Sequence, residues 1–200
     1  MLLDADDCHL VLVDVQQRLL PAIADAATVL ANLQRLARGA QLLDVPCTAT
    51  EHNPRGLGPM DATLRPFAGA VVPKMSFSAV EALLPRLRPA VRQAQGNARS
   101  LPKHLRKPAE AAPEAPGSIV LAGCETHVCL LQTALELLDE EFDVCVVTDA
   151  CGSRTERNRD AAFDRLAGAG CELVTTEMVL FEWLRSADHP AFEDVLALVK

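Results

Sequence analysis

Short apolar runs alternate along this chain with longer segments in which apolar residues recur every three or four positions. Runs of roughly four to eight apolar residues predict strands, whereas a spacing of three to four predicts the apolar face of a helix. The predicted strands lie at residues 9–15, 45–50, 70–73, 118–123, 142–148 and 171–175. The recurring helical positions are Val29, Leu33, Leu36, Ala40 and Leu43, then Leu131, Leu135 and Leu138, and then Ala162, Leu166 and Ala169.

Strands that are apolar on both faces and alternate with helices are typical of a mostly parallel sheet covered on both sides. We therefore predict an α/β fold, a three-layer α/β/α sandwich with up to six strands. The chain has 200 residues, and neither an internal repeat nor a second apolar unit divides it. We expect residues 1–200 to form a single domain.

Residues 88–117 interrupt this alternation. The segment is rich in proline, and the stretch 86–109 contains seven Lys or Arg residues and no acid. We predict a long basic loop, inserted between a helix and the fourth strand. Two interpretations remain open: a solvated loop, or a contact surface for an anionic substrate, a partner or a neighbouring subunit.

Composition and charge narrow the class of protein. Half of the residues are hydrophobic, 23% are charged and the net charge is −8, which opposes DNA or RNA as a partner. No apolar stretch approaches the ~20 residues that span a bilayer, and the acidic start lacks the charge order of a secretory signal. The seven cysteines are odd in number and lie in apolar segments, as reduced thiols do. We therefore expect a cytoplasmic protein with no membrane partner.

Three polar residues lie just beyond the carboxyl ends of predicted strands, which is where parallel sheets place their ligand-binding and active sites. Asp14 ends the first predicted strand, Lys74 follows the third, and Cys129 begins the helix after the fourth. A helix cap or a loop hydrogen bond is the alternative for Asp14, and a solvent-facing charge is the alternative for Lys74. Together the three suggest a nucleophile, a base and a cation.

The position of Cys129 favours this chemistry further. A first helical turn offers unpaired N–H groups and a positive dipole end, and a nearby Lys74 would add a cation, so we expect more thiolate at neutral pH. Asp14 would take the thiol proton as general base. Backbone N–H groups around Glu125 and Cys129 would then stabilise an oxyanion.

Other interpretations of this segment compete with a nucleophilic Cys129. Cys124 directly continues a strand and is expected to shape the turn, while His127 is expected to line the pocket or face solvent. A metal site built from Cys124, His127 and Cys129 is a weak signal without a second ligand pair. The chain has neither a glycine-rich phosphate loop nor a Gly-x-Ser-x-Gly elbow.

Five stretches, in order, resemble the isochorismatase-like cysteine hydrolases: VLVDVQQRLLPA, TEHNPRGLGP, VPKMSFSA, GCETHVCLLQTALELL and VVTDACGSR. The resemblance runs from about residue 8 to the end of the chain and favours the isochorismatase domain-containing branch. The family's Asp, Lys and Cys triad falls on Asp14, Lys74 and Cys129. This is the set that position in the sheet had already selected.

The resemblance implies more about the fold and the site. It implies a six-stranded parallel sheet, a cis peptide between Cys124 and Glu125, and assembly into homo-oligomers, dimers or tetramers. Glu125 and Cys124, with Thr126 at the pocket edge and Gln16 after the first strand, are expected to form the oxyanion hole or bind substrate. Nicotinamidases of the superfamily hold a metal through an Asp-x-His pair, but here residues 51–53 are Glu-His-Asn. We expect neither a metal nor another cofactor.

The leading hypothesis is a cysteine hydrolase that acts on a small amide, imide or related carbonyl compound through an acyl-enzyme on Cys129. One alternative is vinyl-ether hydrolysis of the isochorismate type, although relatives with that chemistry often lack the cysteine. Another is a catalytically silent binding or scaffold protein that uses the basic loop. A thiol-based redox sensor is a weaker fourth hypothesis.

Overall fold

The computed structural model describes residues 2–88 and 115–200, and it contains a six-stranded parallel sheet covered by helices. The predicted loop of residues 88–117 lies almost entirely outside the described residues. The strands are Cys8–Val13 (β1), Cys47–His52 (β2), Ala70–Lys74 (β3), Ser118–Cys124 (β4), Asp143–Gly152 (β5) and Glu172–Val174 (β6). The α-helices are Ala26–Leu42 (α1), Pro54–Leu57 (α2), Val80–Leu87 (α3), Leu131–Asp139 (α4), Glu156–Ala169 (α5), Thr176–Leu184 (α6) and Phe192–Val199 (α7).

The strands follow the order β3-β2-β1-β4-β5-β6, and every neighbouring pair is parallel. The predicted α/β sandwich is confirmed. Strand β1 ends two residues earlier than predicted and β2 lies two residues later. The largest difference is in β5, which continues past residue 148 to Gly152. Asp149 belongs to this extension although it is polar, because its carboxylate accepts hydrogen bonds from the backbone N–H and hydroxyl of Thr176 at the start of α6.

The central strand β1 shows why the sequence of a strand buried on both faces is a continuous run of apolar residues. Leu10 and Leu12 face a core shared with α1 and α6, while Val11 and Val13 face a second core shared with α3 and α4. All four side chains are fully buried. Successive residues of a strand point to opposite faces, so a strand between two helical layers needs apolar residues at every position.

The carboxyl ends of β1 and β4 approach each other unusually closely. Gly123 has a φ of +125°, and a Cβ built there would lie 2.2 Å from the carbonyl oxygen of Val13. Only glycine fits this position, both for its backbone conformation and for the space available. The approach places the residues that follow β1 beside those that follow β4.

No helix within residues 2–88 and 115–200 combines the length and the apolar character needed to cross a membrane.

Candidate active site

A buried ion pair joins the ends of β1 and β3. Asp14 follows β1 with a φ of +48°, and its Oδ2 accepts a hydrogen bond of 2.7 Å from Nζ of Lys74. The other carboxylate oxygen accepts from the hydroxyl of Thr50 on β2 at 2.6 Å. Asp14 is fully buried and the Lys74 side chain is 2% exposed. Because breaking a buried pair would leave an uncompensated charge, this geometry is held firmly.

The ammonium group of Lys74 is fixed by more than its carboxylate. Nζ also donates to the carbonyl oxygens of Phe77 at 2.8 Å and Ser76 at 3.2 Å. An ammonium group has three hydrogens to donate, and these contacts account for all three. The loop after β3 therefore wraps the cation and sets its position.

Cys129 lies beside this ion pair. It belongs to a turn of π-helix, Thr126–Leu130, that leads into α4, and it is 6% exposed. Its thiol lies close enough to Asp14 and Lys74 for the charges of both to act on it. The structure thus brings together the three residues that the sequence proposes as nucleophile, base and cation.

The expectation that Cys129 has a raised fraction of thiolate is wrong for the free protein. Burial and, after it, the Asp14 carboxylate raise the pKa of Cys129 to about 12, because Lys74 only partly opposes them. A thiolate needs solvation or cations to be stable, and here removal from water outweighs the single ammonium group. The thiol is therefore protonated at neutral pH, so its reaction requires a base at the moment of attack.

Backbone and hydroxyl contacts hold the turn that carries Cys129. The peptide bond between Cys124 and Glu125 is cis, as the resemblance implies. The carbonyl oxygen of Glu125 accepts from the N–H groups of Val128 at 3.1 Å and Leu130 at 3.2 Å. The carbonyl oxygen of Cys129 itself accepts from the hydroxyl of Thr133 at 2.6 Å. The nucleophile candidate is therefore held on both sides in the chain.

Gln16 has a supporting place in the structure. Its Nε2 donates to the carbonyl oxygens of His52 at 3.0 Å and Gly58 at 2.6 Å, while its Oε1 accepts from the His52 N–H at 2.8 Å. The residue is fully buried, and its amide is occupied by backbone. The side chain of Gln16 is therefore not free to contact a substrate, contrary to expectation. Its hydrogen bonds instead hold the segment after β2 in place.

Cys124 and Thr126 are also fully buried, so Thr126 does not stand at the pocket edge as expected. Burial raises the pKa of the Cys124 thiol to about 12, which suits the turn-shaping role given to it. The hydroxyl of Thr126 has no hydrogen-bond partner among the described residues. Because both side chains face the interior, this segment can contact a substrate only through its backbone groups.

The side chain of Arg154, which was not among the residues predicted for the site, pairs with Glu125. Nε of Arg154 lies 2.9 Å from Oε1 of Glu125, and the Arg154 N–H donates to the same oxygen at 3.3 Å. The Glu125 side chain is 11% exposed and that of Arg154 is 60% exposed. A signal was present, because Arg154 ends the quoted stretch VVTDACGSR directly after β5, the neighbour of β4.

His127 lies against the start of α5. Its Nδ1 is 3.0 Å from the hydroxyl of Ser153, and Asn158 donates to its Nε2 at 3.3 Å. The alternative metal site of Cys124, His127 and Cys129 finds no support, since residues 2–88 and 115–200 contain no cluster of three metal-binding side chains. His127 instead orders the edge of the site.

A surface cleft of about 440 Å³ adjoins the ion pair. One wall follows β2 and the other follows β3, and the N–H of Asn53 donates across to the carbonyl oxygen of Lys74 at 2.9 Å. Phe77, two residues after Met75, is exposed, and the centroid of its ring lies 5.3 Å from that of the His52 ring. The lining residues are Asn53, Pro54, Arg55, Pro73, Lys74 and Met75.

Comparison with known proteins assigns this chain to a family. The model of the isochorismatase domain matches residues 8–178. The chain belongs to the isochorismatase family. Isochorismatase domain-containing protein 1 from Danio rerio is 36% identical over 191 residues, an alignment that covers 94% of this chain and 59% of that protein. The chain therefore spans about three-fifths of the length of this relative.

Several solved structures share the fold. A protein described as MAR1 ribonuclease, from Caenorhabditis elegans, is 26% identical with a TM-score of 0.83, covering 100% of this chain and 92% of that one. YcaC from Pseudomonas aeruginosa, with covalent acrylamide, is 26% identical with a TM-score of 0.78, covering 98% and 90%. The YcaC gene product of Escherichia coli, described as an octameric hydrolase of unknown specificity, is 25% identical with a TM-score of 0.74, covering 98% and 86%.

Proposed function

We propose that this protein is a cysteine hydrolase that cleaves a small amide, imide or related carbonyl compound through an acyl-enzyme on Cys129. The observation that carries the proposal is the position of the Cys129 thiol beside a buried pair of carboxylate and ammonium groups. A protonated thiol beside a carboxylate can transfer its proton to it during the attack. In this proposal Asp14 is the base and Lys74 is the charge partner.

The proposed reaction has two halves. Sγ of Cys129 forms a bond to the substrate carbonyl carbon while its proton passes to Asp14, and the leaving amine departs with that proton. Water then attacks the thioester, gives its proton to Asp14 and releases the acid, which restores the thiol. Lys74 keeps a positive charge beside Asp14 throughout, so the site never holds an isolated negative charge.

Stabilisation of the tetrahedral intermediate is assigned to backbone N–H groups around Glu125 and Cys129. These groups belong to a turn whose carbonyl oxygens are anchored by Val128, Leu130 and Thr133. Donors held in place before the reaction begins stabilise developing charge without reorganising. The buried side chains of Cys124 and Thr126 have no part in this step.

The test is a screen of small amides and imides for product release, followed by Cys129→Ala and by mass spectrometry of the acylated protein. We expect Cys129→Ala to lower turnover by at least about 10³-fold, as loss of a nucleophile does. Cys171→Ala is the matched control, because Cys171 is equally buried and does not contact the ion pair. Full turnover in Cys129→Ala would exclude the acyl-enzyme.

Assembly and location are part of the proposal. The octameric YcaC relative supports a homo-oligomer here, which light scattering of the purified protein measures. A cytoplasmic location suits the seven free thiols. Although one structural relative is described as a ribonuclease, the net charge of −8 opposes the approach of a nucleic acid to this chain.

A further inference from the structure

The cleft beside the ion pair contains one cation whose charge is not neutralised. The ammonium group of Lys74 is paired with the Asp14 carboxylate. The guanidinium group of Arg55, by contrast, has neither a carboxylate partner nor a hydrogen-bond acceptor within residues 2–88 and 115–200. Arg55 is exposed to solvent at the cleft wall. A cation in a concave surface attracts anions more strongly than the same cation on open surface, because the low-dielectric walls focus its field.

The backbone that carries Arg55 is held in place from three directions. Arg18 donates from Nη1 to the carbonyl oxygen of Gly56 at 3.0 Å, and the side chain of Asn53 accepts from the Gly56 N–H at 3.3 Å. Gln16 fixes the ends of the segment through His52 and Gly58. A cation on an anchored segment loses less entropy when it binds than one on a free loop.

The remaining walls of the cleft are largely apolar. Pro54, Pro73 and Met75 line it, and Phe77 stands exposed beside it. The acidic side chain on this segment, Glu51, is turned to the backbone, where it accepts from the Met60 N–H at 2.7 Å. The cleft thus offers apolar contact and a single free positive charge.

We propose that the substrate carries an anionic group, of the carboxylate class, and that Arg55 is the residue that recognises it. The inference rests on the proposed function, because it assigns the body of that substrate to the cleft lined by Lys74, whose charge acts on Cys129. Its compact apolar part contacts the proline and methionine walls. Its carboxylate pairs with the guanidinium, which suits two parallel hydrogen bonds.

The test compares two probes of equal size, N-iodoacetyl-β-alanine and its neutral amide, by their rates of reaction with Cys129. Each probe forms a thioether and releases iodide, while the thiol proton passes to the base. The quantity measured is the ratio of the carboxylate rate to the neutral rate at Cys129, from peptide mass spectrometry. Because both probes carry the same reacting group, the ratio isolates the effect of the charge.

We expect the ratio to fall by at least about threefold in Arg55→Glu and to fall less in Arg55→Lys, which keeps the charge but not the two parallel hydrogen bonds. Arg38→Glu is the matched control, since it changes the net charge equally but lies over the ring of Phe67. An unchanged ratio in Arg55→Glu overturns the inference, and so does an equal fall in Arg38→Glu. If neither probe modifies Cys129 in the unaltered protein, the proposed function fails first, and the two failures are distinguishable.

Discussion

At the scale of single residues, Asp14 depends on Thr50 as much as on Lys74. The Thr50 hydroxyl donates to Oδ1 of Asp14 and accepts from the Asp14 N–H at 3.2 Å, so it fixes both the carboxylate and the backbone. Thr50 is fully buried and is a positioning residue, since it acts through Asp14. The sequence does not reveal this role, because a threonine inside a strand is common and its partner is 36 positions away.

Replacing Thr50 by valine removes this hydroxyl while keeping the shape of the side chain. We expect Thr50→Val to lower the free energy of unfolding by about 1–3 kcal/mol, because it leaves a buried carboxylate oxygen and a buried N–H unpaired. It should also slow the reaction of Cys129 with iodoacetamide. Chemical denaturation and a rate of alkylation measure the two effects.

Thr50→Ser is the control for this prediction, because it keeps the hydroxyl. It should retain the alkylation rate of Cys129 even where it loses some stability through the missing methyl group. If Thr50→Val and Thr50→Ser react at the same rate, the hydroxyl has no part in positioning Asp14.

At the scale of elements, the strands were predictable and the turns after them were not. The alternation of apolar runs and helical spacing locates all six strands, since a strand buried on both faces leaves a strong signal in the sequence. The turn Thr126–Leu130 leaves no such signal, because its π-helical form depends on hydrogen bonds to Glu125 and the helix that follows. Burial of Cys129 likewise depends on packing, which the position of one cysteine does not reveal.

Substitution of Gly123 tests how closely β1 and β4 must approach each other for the site to form. We expect Gly123→Ala to lower the free energy of unfolding by about 3 kcal/mol or more, because the new Cβ would meet the Val13 carbonyl in a conformation that alanine disfavours. Thermal or chemical unfolding measures the loss.

Gly168 in α5 provides the matched control, since a Cβ there would meet no atom within 4 Å. Gly168→Ala should change stability little or raise it by up to about 1 kcal/mol, as expected for a helix position. Equal stability of Gly123→Ala and Gly168→Ala would show that the close approach is not required.

At the scale of the whole molecule, seven buried thiols compete for any electrophile. Burial raises the pKa of each of them, and Cys129, Cys47 and Cys171 differ little in exposure. Exposure and pKa therefore do not single out Cys129. What distinguishes it is its place beside a carboxylate and an ammonium group, so any selectivity for Cys129 has to come from Asp14 and Lys74.

The most direct test of the account is the alkylation rate of all seven cysteines with iodoacetamide at neutral pH, in the unaltered protein and in Asp14→Asn. Circular dichroism of the variant checks that it is folded. The account predicts that Cys129 reacts at least about tenfold faster than any other cysteine, and that this advantage disappears when a folded Asp14→Asn can no longer accept the proton. Reaction of Cys47 or Cys171 as fast as Cys129, or an unchanged Cys129 rate in Asp14→Asn, would contradict it.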